Sequence, residues 1–347
     1  MADGIIDLRS DTITLPTREM RDAMYNCEVG DDVLREDPTV NELERYAAEL
    51  LGKEAALFVP SGTFANQCAI MTHTCSSDEV IVCEDAHIIQ HEAGASALLS
   101  RVQLRVIVPE NRKYMCAGEI ERRIRVGDDI HYPRTGLICL EQATAYGNLY
   151  PVAELKKIRK LSIKHGVPIH IDGARLFNAA VALGVEASKL AACTDSVSVC
   201  LSKGLCAPVG SLLVGTKEFI EKARRNRKIM GGGMRQAGFL AAAGLIALKT
   251  MTKRLDEDHR NARLLAQLLA GIEGISVDRT PEINMVFFRN TSGVISDARL
   301  FNALTRKGIL TYAPEAGEFR FVTHYGISED DISSVAGMIT SIMSRKI

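Results

Sequence analysis

An alternation of helical periodicity with short apolar runs, and then a switch to strands interleaved with two helical patterns, predict an α/β protein in two parts. The first part is a large domain on a mainly parallel sheet, and the second is a smaller C-terminal α+β domain. With 347 residues, 46% of them hydrophobic and 24% charged, the chain can bury a large core and exceeds the usual single-domain size of about 100–200 residues. We set the boundaries at 1–250, with residues 1–38 as an N-terminal arm, and at 251–347, the junction falling within 245–260.

The elements follow in order. Thr39-Val-Asn-Glu42 reads as a capping box opening a helix in which Val40, Leu43, Tyr46, Ala47, Leu50 and Leu51 recur at helical spacing before Gly52. Short apolar runs bounded by turn residues predict strands at 55–59, 79–83, 102–108, 136–140, 167–171, 196–201 and 210–214. Helices are expected between them at 63–72, 89–99, 152–165, 174–183 and 216–229. After Gly231-Gly-Gly233 a long helical region, 235–271, is interrupted near 250–253. Strands at 274–278, 284–288, 309–313 and 318–323 with helices at 296–306 and 328–345 complete the second domain.

A formal net charge of −1 offers no electrostatic footprint for nucleic acid. The basic run Lys222-Ala-Arg-Arg-Asn-Arg-Lys228 lacks interleaved aromatic residues and reads as a solvated helix face. Nine cysteines, an odd number with no zinc-type spacing, point to reduced thiols and a cytoplasmic location, with no metal site expected. The N-terminus has no basic stretch followed by an apolar one, and no window reaches ~18 uninterrupted apolar residues, so neither an export signal nor a membrane span is expected.

Three places carry chemistry. In Ser198-Val-Cys-Leu-Ser202-Lys203-Gly204 an apolar strand runs into a lysine. By position alone Lys203 reads as a surface residue at a loop start, but half-burial there would lower its pKa and make it a nucleophilic amine. The preceding strand, Val167-Pro-Ile-His-Ile171, delivers Asp172 at its carboxyl end, where ligands collect in open α/β sheets. Asp172 suits a protonated pyridine nitrogen, and it equally suits the N-cap of the helix that follows. Ser61-Gly62-Thr63 ends a strand and starts a helix whose free N–H groups could cradle a phosphate. A lysine, an aspartate and a phosphate cradle are the three handles of a phosphorylated pyridine aldehyde, pyridoxal 5′-phosphate (PLP). His87, after the strand at 79–83, could stack on a flat ring or act as acid or base, and is as readily a plain loop histidine. Arg320, in Phe319-Arg320-Phe321, points away from its aromatic neighbours and has the shape for a carboxylate, although an exposed strand arginine is the default.

Ordered matches at Asp7-Leu-Arg-Ser10-Asp-Thr12, Val29-Gly-Asp-Asp32, Glu36-Asp-Pro-Thr39, Ser61-Gly-Thr63, Asp172-Gly-Ala-Arg175, Ser202-Lys-Gly-Leu205, Ala207-Pro-Val-Gly210, Gly231-Gly-Gly-Met-Arg-Gln-Ala-Gly238 and Arg320-Phe-Val-Thr-His324 resemble the L-threonine aldolases, among the fold-type-I PLP enzymes related to aspartate aminotransferase and the β-eliminating lyases. The resemblance implies that fold, PLP as cofactor and retro-aldol cleavage of a β-hydroxy-α-amino acid to glycine and an aldehyde. It makes Lys203 the Schiff-base lysine, Asp172 the partner of the pyridine nitrogen and His87 the ring-stacking residue. Ser61, Gly62 and Thr63 would hold the phosphate, and Ser10, Arg175 and Arg320 the substrate carboxylate, Arg175 lying near the cofactor as well. Arg235 would reach the phosphate of a neighbouring subunit, which implies a homo-oligomer, a dimer or a dimer of dimers (homotetramer), with shared sites. The chain departs from the family pattern at Glu141-Gln-Ala-Thr-Ala145, where a histidine is missing near Ala145, at Leu34-Arg35, and at Cys206 in place of glycine. The alternatives are β-elimination or racemisation on the same fold, or a nucleotide-binding or structural α/β protein without PLP.

Overall fold

The computed structural model describes residues 4–344. Two compact units emerge: Leu15–Thr252, and a smaller one made of the described residues up to Thr14 and from Lys253 onward. Residues 4–14 therefore group with the C-terminal part, whereas the sequence reading placed them in the arm of the large domain.

Strands are numbered along the chain, starting with β1 (Ile6–Asp7) in the smaller unit. The larger unit is built on β2 (Ala55–Val59), β3 (Glu79–Cys83), β4 (Gln103–Ile107), β5 (Thr135–Glu141), β6 (Ile169–Gly173), β7 (Ser196–Cys200) and β8 (Ser211–Gly215). Their order is β2-β8-β7-β6-β5-β3-β4. β8 runs antiparallel to β2 and β7, and the remaining pairs are parallel. Strands β6, β7 and β8 are buried along their whole length; on β6 and β7 the residues that alternate with the apolar ones are His170, Asp172, Ser196 and Ser198, buried polar side chains held by hydrogen bonds. Registers Glu141↔Asp172 and Asp172↔Ser198 set three polar side chains in a row at the carboxyl ends of β5, β6 and β7.

The structure departs from the expected local elements in two instructive places. The helix Pro38–Leu51 is capped by Asp37, whose Oδ1 accepts the N–H groups of Thr39 and Val40 at 3.1 and 3.0 Å; the Thr39–Glu42 box is not the cap. A carboxylate before a proline at the first helical position wins because the proline has no N–H to satisfy and a preset φ. The single helix expected at 89–99 is two short pieces, His87–Gln90 and a π-type turn Ser96–Ser100. Ala93 and Gly94 between them adopt positive φ, 53° and 71°, a left-handed step that no helix carries through.

The edge strand β2 has β8 as its one sheet neighbour, and side chains satisfy the outward backbone groups of Phe58. Glu44 Oε1 accepts the Phe58 N–H at 2.8 Å, and Arg227 Nη1 donates to the Phe58 carbonyl at 2.7 Å. Arg227 also pairs with Asp32 (2.7 Å), and Arg224 with Glu44 (2.7 Å). Burial pushes the Asp32 and Glu44 carboxyls up against the pull of these guanidinium groups.

The smaller unit pairs β9 (Ile275–Ser276), β10 (Met285–Asn290) and β12 (Glu318–Val322) in the antiparallel order β12-β10-β9, while β11 (Ile309–Leu310) runs parallel to β1. Its core centres on Phe288, whose ring lies 5.0 Å from Phe319 and 4.9 Å from Phe321. Period-two alternation on β12 leaves Arg320 on the face opposite these rings.

Arg227 is 2% and Asp32 1% exposed, so Arg227→Ala strands a buried carboxylate and an edge carbonyl together. We expect a loss of about 3–5 kcal/mol in unfolding free energy, measured by urea titration; a loss below about 1 kcal/mol would mean that Arg224 alone compensates Asp32.

Candidate active site

Parallel strands that end together create a polar shelf. Asp172, at the end of β6, is 4% exposed. Its Oδ1 accepts the Ala174 N–H at 2.9 Å and its Oδ2 the Asn66 side-chain N–H at 2.7 Å. The first of these closes a turn and not a helix start, for the next helix, Leu176–Leu183, begins after Arg175. Lys203 stands three residues beyond the end of β7, in a loop closed by Leu201 N–H to Gly210 O (3.1 Å) and Ala207 N–H to Leu201 O (3.0 Å).

Glu141, at the end of β5, ties the shelf together. Its carboxyl feels the charges of Asp172, Lys203 and Arg175 and accepts the backbone N–H of His87. Burial and then the negative charge of Asp172 push it up to about 8, with Lys203 and Arg175 opposing. The His87 ring is held from its other side, Nδ1 donating to Glu92 Oε1 at 2.8 Å. Glu92 also accepts from Asn66 (2.8 Å) and Gln67 (2.6 Å), three donors on one buried carboxylate. His87, Glu92 and Asp172 bring donor atoms within 4.8 Å of one another, yet the facing oxygens already take N–H groups, so the arrangement is that of a hydrogen-bonded lattice.

The helix Gly62–His73 supplies both ends of this lattice. Ser61 is its N-cap, with Oγ accepting the Phe64 N–H at 3.1 Å. The earlier N–H groups of Gly62 and Thr63 belong to the first turn, where donors have no partner within the helix and attract anions. A Cβ at Gly62 would lie 2.7 Å from Cys200 Sγ, so this turn packs against β7 more closely than any side chain permits. One turn on, Asn66 Oδ1 accepts from Ser198 Oγ (2.9 Å) and meets His170 Nε2 (3.2 Å). His170 Nδ1 lies 2.9 Å from Ser196 Oγ, which lies 2.7 Å from His73 Nε2. Burial pushes His170 down to about 3 and His73 down to about 4, so both imidazoles are neutral.

Of the residues singled out from sequence, Ser61, Gly62, Thr63, His87, Asp172, Arg175 and Lys203 thus lie on adjoining strand ends and loops of the larger unit. Arg235 sits elsewhere in that unit, its side chain 60% exposed and bound to Asp31 at 2.6 Å. Ser10 and Arg320 belong to the smaller unit, where Ser10 Oγ caps a short turn by accepting the Thr12 N–H (3.2 Å) and the Arg320 carbonyl accepts from Thr311 Oγ1 (3.1 Å). Sequence reasoning missed Asn66, Glu92 and the hub position of Glu141. The available signal was a pair of amides, Asn66-Gln67, inside an otherwise apolar helix. Cys206 adopts φ 63°, the left-handed conformation in which glycine is unstrained.

The family model described as Beta-eliminating lyase matches residues 7–291. Low-specificity L-threonine aldolase 1 of Arabidopsis thaliana is 45% identical over 333 residues, covering 94% of this chain and 93% of its own. The low specificity L-threonine aldolase of Escherichia coli K12 is 43% identical over 343 residues, covering 98% and 100%. Among solved structures, a threonine aldolase of Leishmania major superposes with a TM-score of 0.83 at 19% identity, covering 97% and 99%, and a Sphingomonas wittichii serine palmitoyltransferase with 0.75 at 19%, covering 97% and 86%. The first confirms the expected fold-type-I architecture, and the second shows the same fold in a different enzyme. Matched across most of its length by the family model and at 43–45% identity by full-length relatives, the chain belongs to the β-eliminating lyase family, among the low-specificity L-threonine aldolases.

Proposed function

We propose that the protein is a PLP-dependent lyase that cleaves a β-hydroxy-α-amino acid of the threonine type to glycine and an aldehyde. The observation that carries this reading is the register that brings the ends of β5, β6 and β7 together, with Glu141 beside Asp172 and the Lys203 loop starting where β7 ends.

The residues fit the cofactor. Asp172, held in place by two N–H donors, is a fixed anion for a protonated ring nitrogen. The Gly62–Thr63 turn, pressed onto Cys200 where no Cβ fits, is a backbone cradle of the kind that phosphates occupy. Lys203 would hold the aldehyde carbon, His87 would lie against the ring, and Ser61 would assist Gly62 and Thr63 at the phosphate. When bound, PLP supplies the electron sink that lets the bond between the α and β carbons break. The chain's own work is orientation and proton handling. Arg175 is the guanidinium of this shelf for a substrate carboxylate, and Ser10 and Arg320 keep the carboxylate role that the resemblance implies. Glu141, raised to about 8, is the group of this shelf to take the β-hydroxyl proton as pH rises through that value, a task left open by the missing histidine near Ala145.

Arg235, exposed and steadied by Asp31, supports a homo-oligomer with shared sites, a dimer or a homotetramer. A cytoplasmic location accords with nine free cysteines.

Two experiments test this reading. Purified protein is expected to absorb near ~420 nm in a borohydride-sensitive band and to release glycine with acetaldehyde from L-threonine or L-allo-threonine, Lys203→Ala losing both band and turnover; pyruvate and ammonia from serine would assign β-elimination instead. Because a base must be deprotonated to act, kcat should climb with pH to a plateau above about 8, and Glu141→Gln should lower kcat and flatten that limb. An unchanged limb in the variant would remove Glu141 from proton transfer.

A further inference from the structure

The amide of Asn66 has four hydrogen-bonding positions, and the structure fills all of them. Nδ2 donates to Asp172 Oδ2 at 2.7 Å and to Glu92 Oε1 at 2.8 Å; Oδ1 accepts from Ser198 Oγ at 2.9 Å and meets His170 Nε2 at 3.2 Å. Its orientation is fixed by chemistry, because the flipped amide would set its oxygen against two carboxylates. An amide oxygen only accepts, so His170 carries its hydrogen on Nε2. As a neutral ring it must accept at Nδ1, from Ser196 Oγ 2.9 Å away, and Ser196 in turn accepts from His73 Nε2 at 2.7 Å. Every donor in the line His73, Ser196, His170, Asn66 therefore points toward Asp172 and Glu92. Aligned bonds of this kind polarise one another and place positive dipole ends at the carboxylates without adding a cation. Asn66 is 1% and His170 0% exposed, so water does not compete for these contacts.

We infer that Asn66 is a positioning residue: it delivers this one-way line of donors to Asp172, holding the carboxylate in place and negatively charged against the cofactor's ring nitrogen, and through Glu92 it fixes His87 in the same lattice. The inference rests on the reading that PLP binds here, and it gives Asp172 and His87 a common support of which the bare strand ends show nothing.

The test is PLP labelled with ¹⁵N in the ring, bound to the intact enzyme and read by NMR, together with the dissociation constant for PLP. Wild-type protein should show a pyridinium-type shift. Asn66→Ala should move the signal toward unprotonated pyridine and weaken PLP binding by about tenfold or more, as expected when a hydrogen bond to a charged group is lost; complete loss of binding counts with this result. Should Asn66→Ala not fold, Asn66→Ser, too short to bridge both carboxylates, is read in the same way. A folded variant that keeps both the pyridinium shift and wild-type affinity overturns the role of Asn66. Wild-type protein that binds no PLP overturns the functional reading itself, so the two failures are distinguishable.

Discussion

Placing a carboxylate such as Asp172 inside a sheet costs several kcal/mol unless fixed donors replace the water it loses. Much of the larger unit's polar architecture answers that cost. The parallel register aligns the ends of β5, β6 and β7, the helix Gly62–His73 packs close enough for Asn66 to reach Asp172, and Gly62 must be glycine for that helix start to sit against Cys200. Glu141 shows the same constraint with the opposite outcome. Burial and the neighbouring Asp172 charge outweigh the pull of Lys203, Arg175 and the His87 N–H, and it answers by holding its proton to about pH 8. Two neighbouring carboxyls with opposite environments are how one site obtains a fixed charge and a mobile proton.

The parts of the molecule legible in sequence were those governed by local rules. Apolar runs located all seven strands of the large sheet to within about two residues. Lys203, Asp172 and the Ser61–Thr63 turn could be read as a set because each sits where a strand ends. Asn66 and Glu92 could not, since their role arises from contacts such as Asn66 with Asp172 and Ser198, far apart along the chain, which no periodicity encodes. The helix caps failed differently. Thr39–Glu42 has the letters of a capping box, but Asp37 starts the helix two residues earlier by taking the Thr39 and Val40 N–H groups, and has a proline in its favour.

The position of Cys206 shows how far a family pattern can bend. A left-handed conformation that glycine adopts freely is imposed here on a buried residue with a side chain, inside the loop that follows Lys203. Its Sγ donates to the Gly204 carbonyl at 3.6 Å, a weak local tie. The surrounding loop bonds, Leu201 to Gly210 and Ala207 to Leu201, must hold the strain, of order 1–2 kcal/mol.

The order β2-β8 at the sheet edge also governs how the molecule is made. β2 leaves the ribosome early, but Val59 pairs with Ser211 and Ala55 with Gly215, and of the side chains that cap Phe58, Glu44 precedes the strand while Arg227 follows all of its partners. The first strand of the sheet to be synthesised therefore waits unpaired until nearly the whole larger unit exists, and a nascent chain halted before β8 presents a bare apolar edge. Long-range closure of this sort slows folding and exposes intermediates to association, so the chain's need for assistance is greatest during its own synthesis.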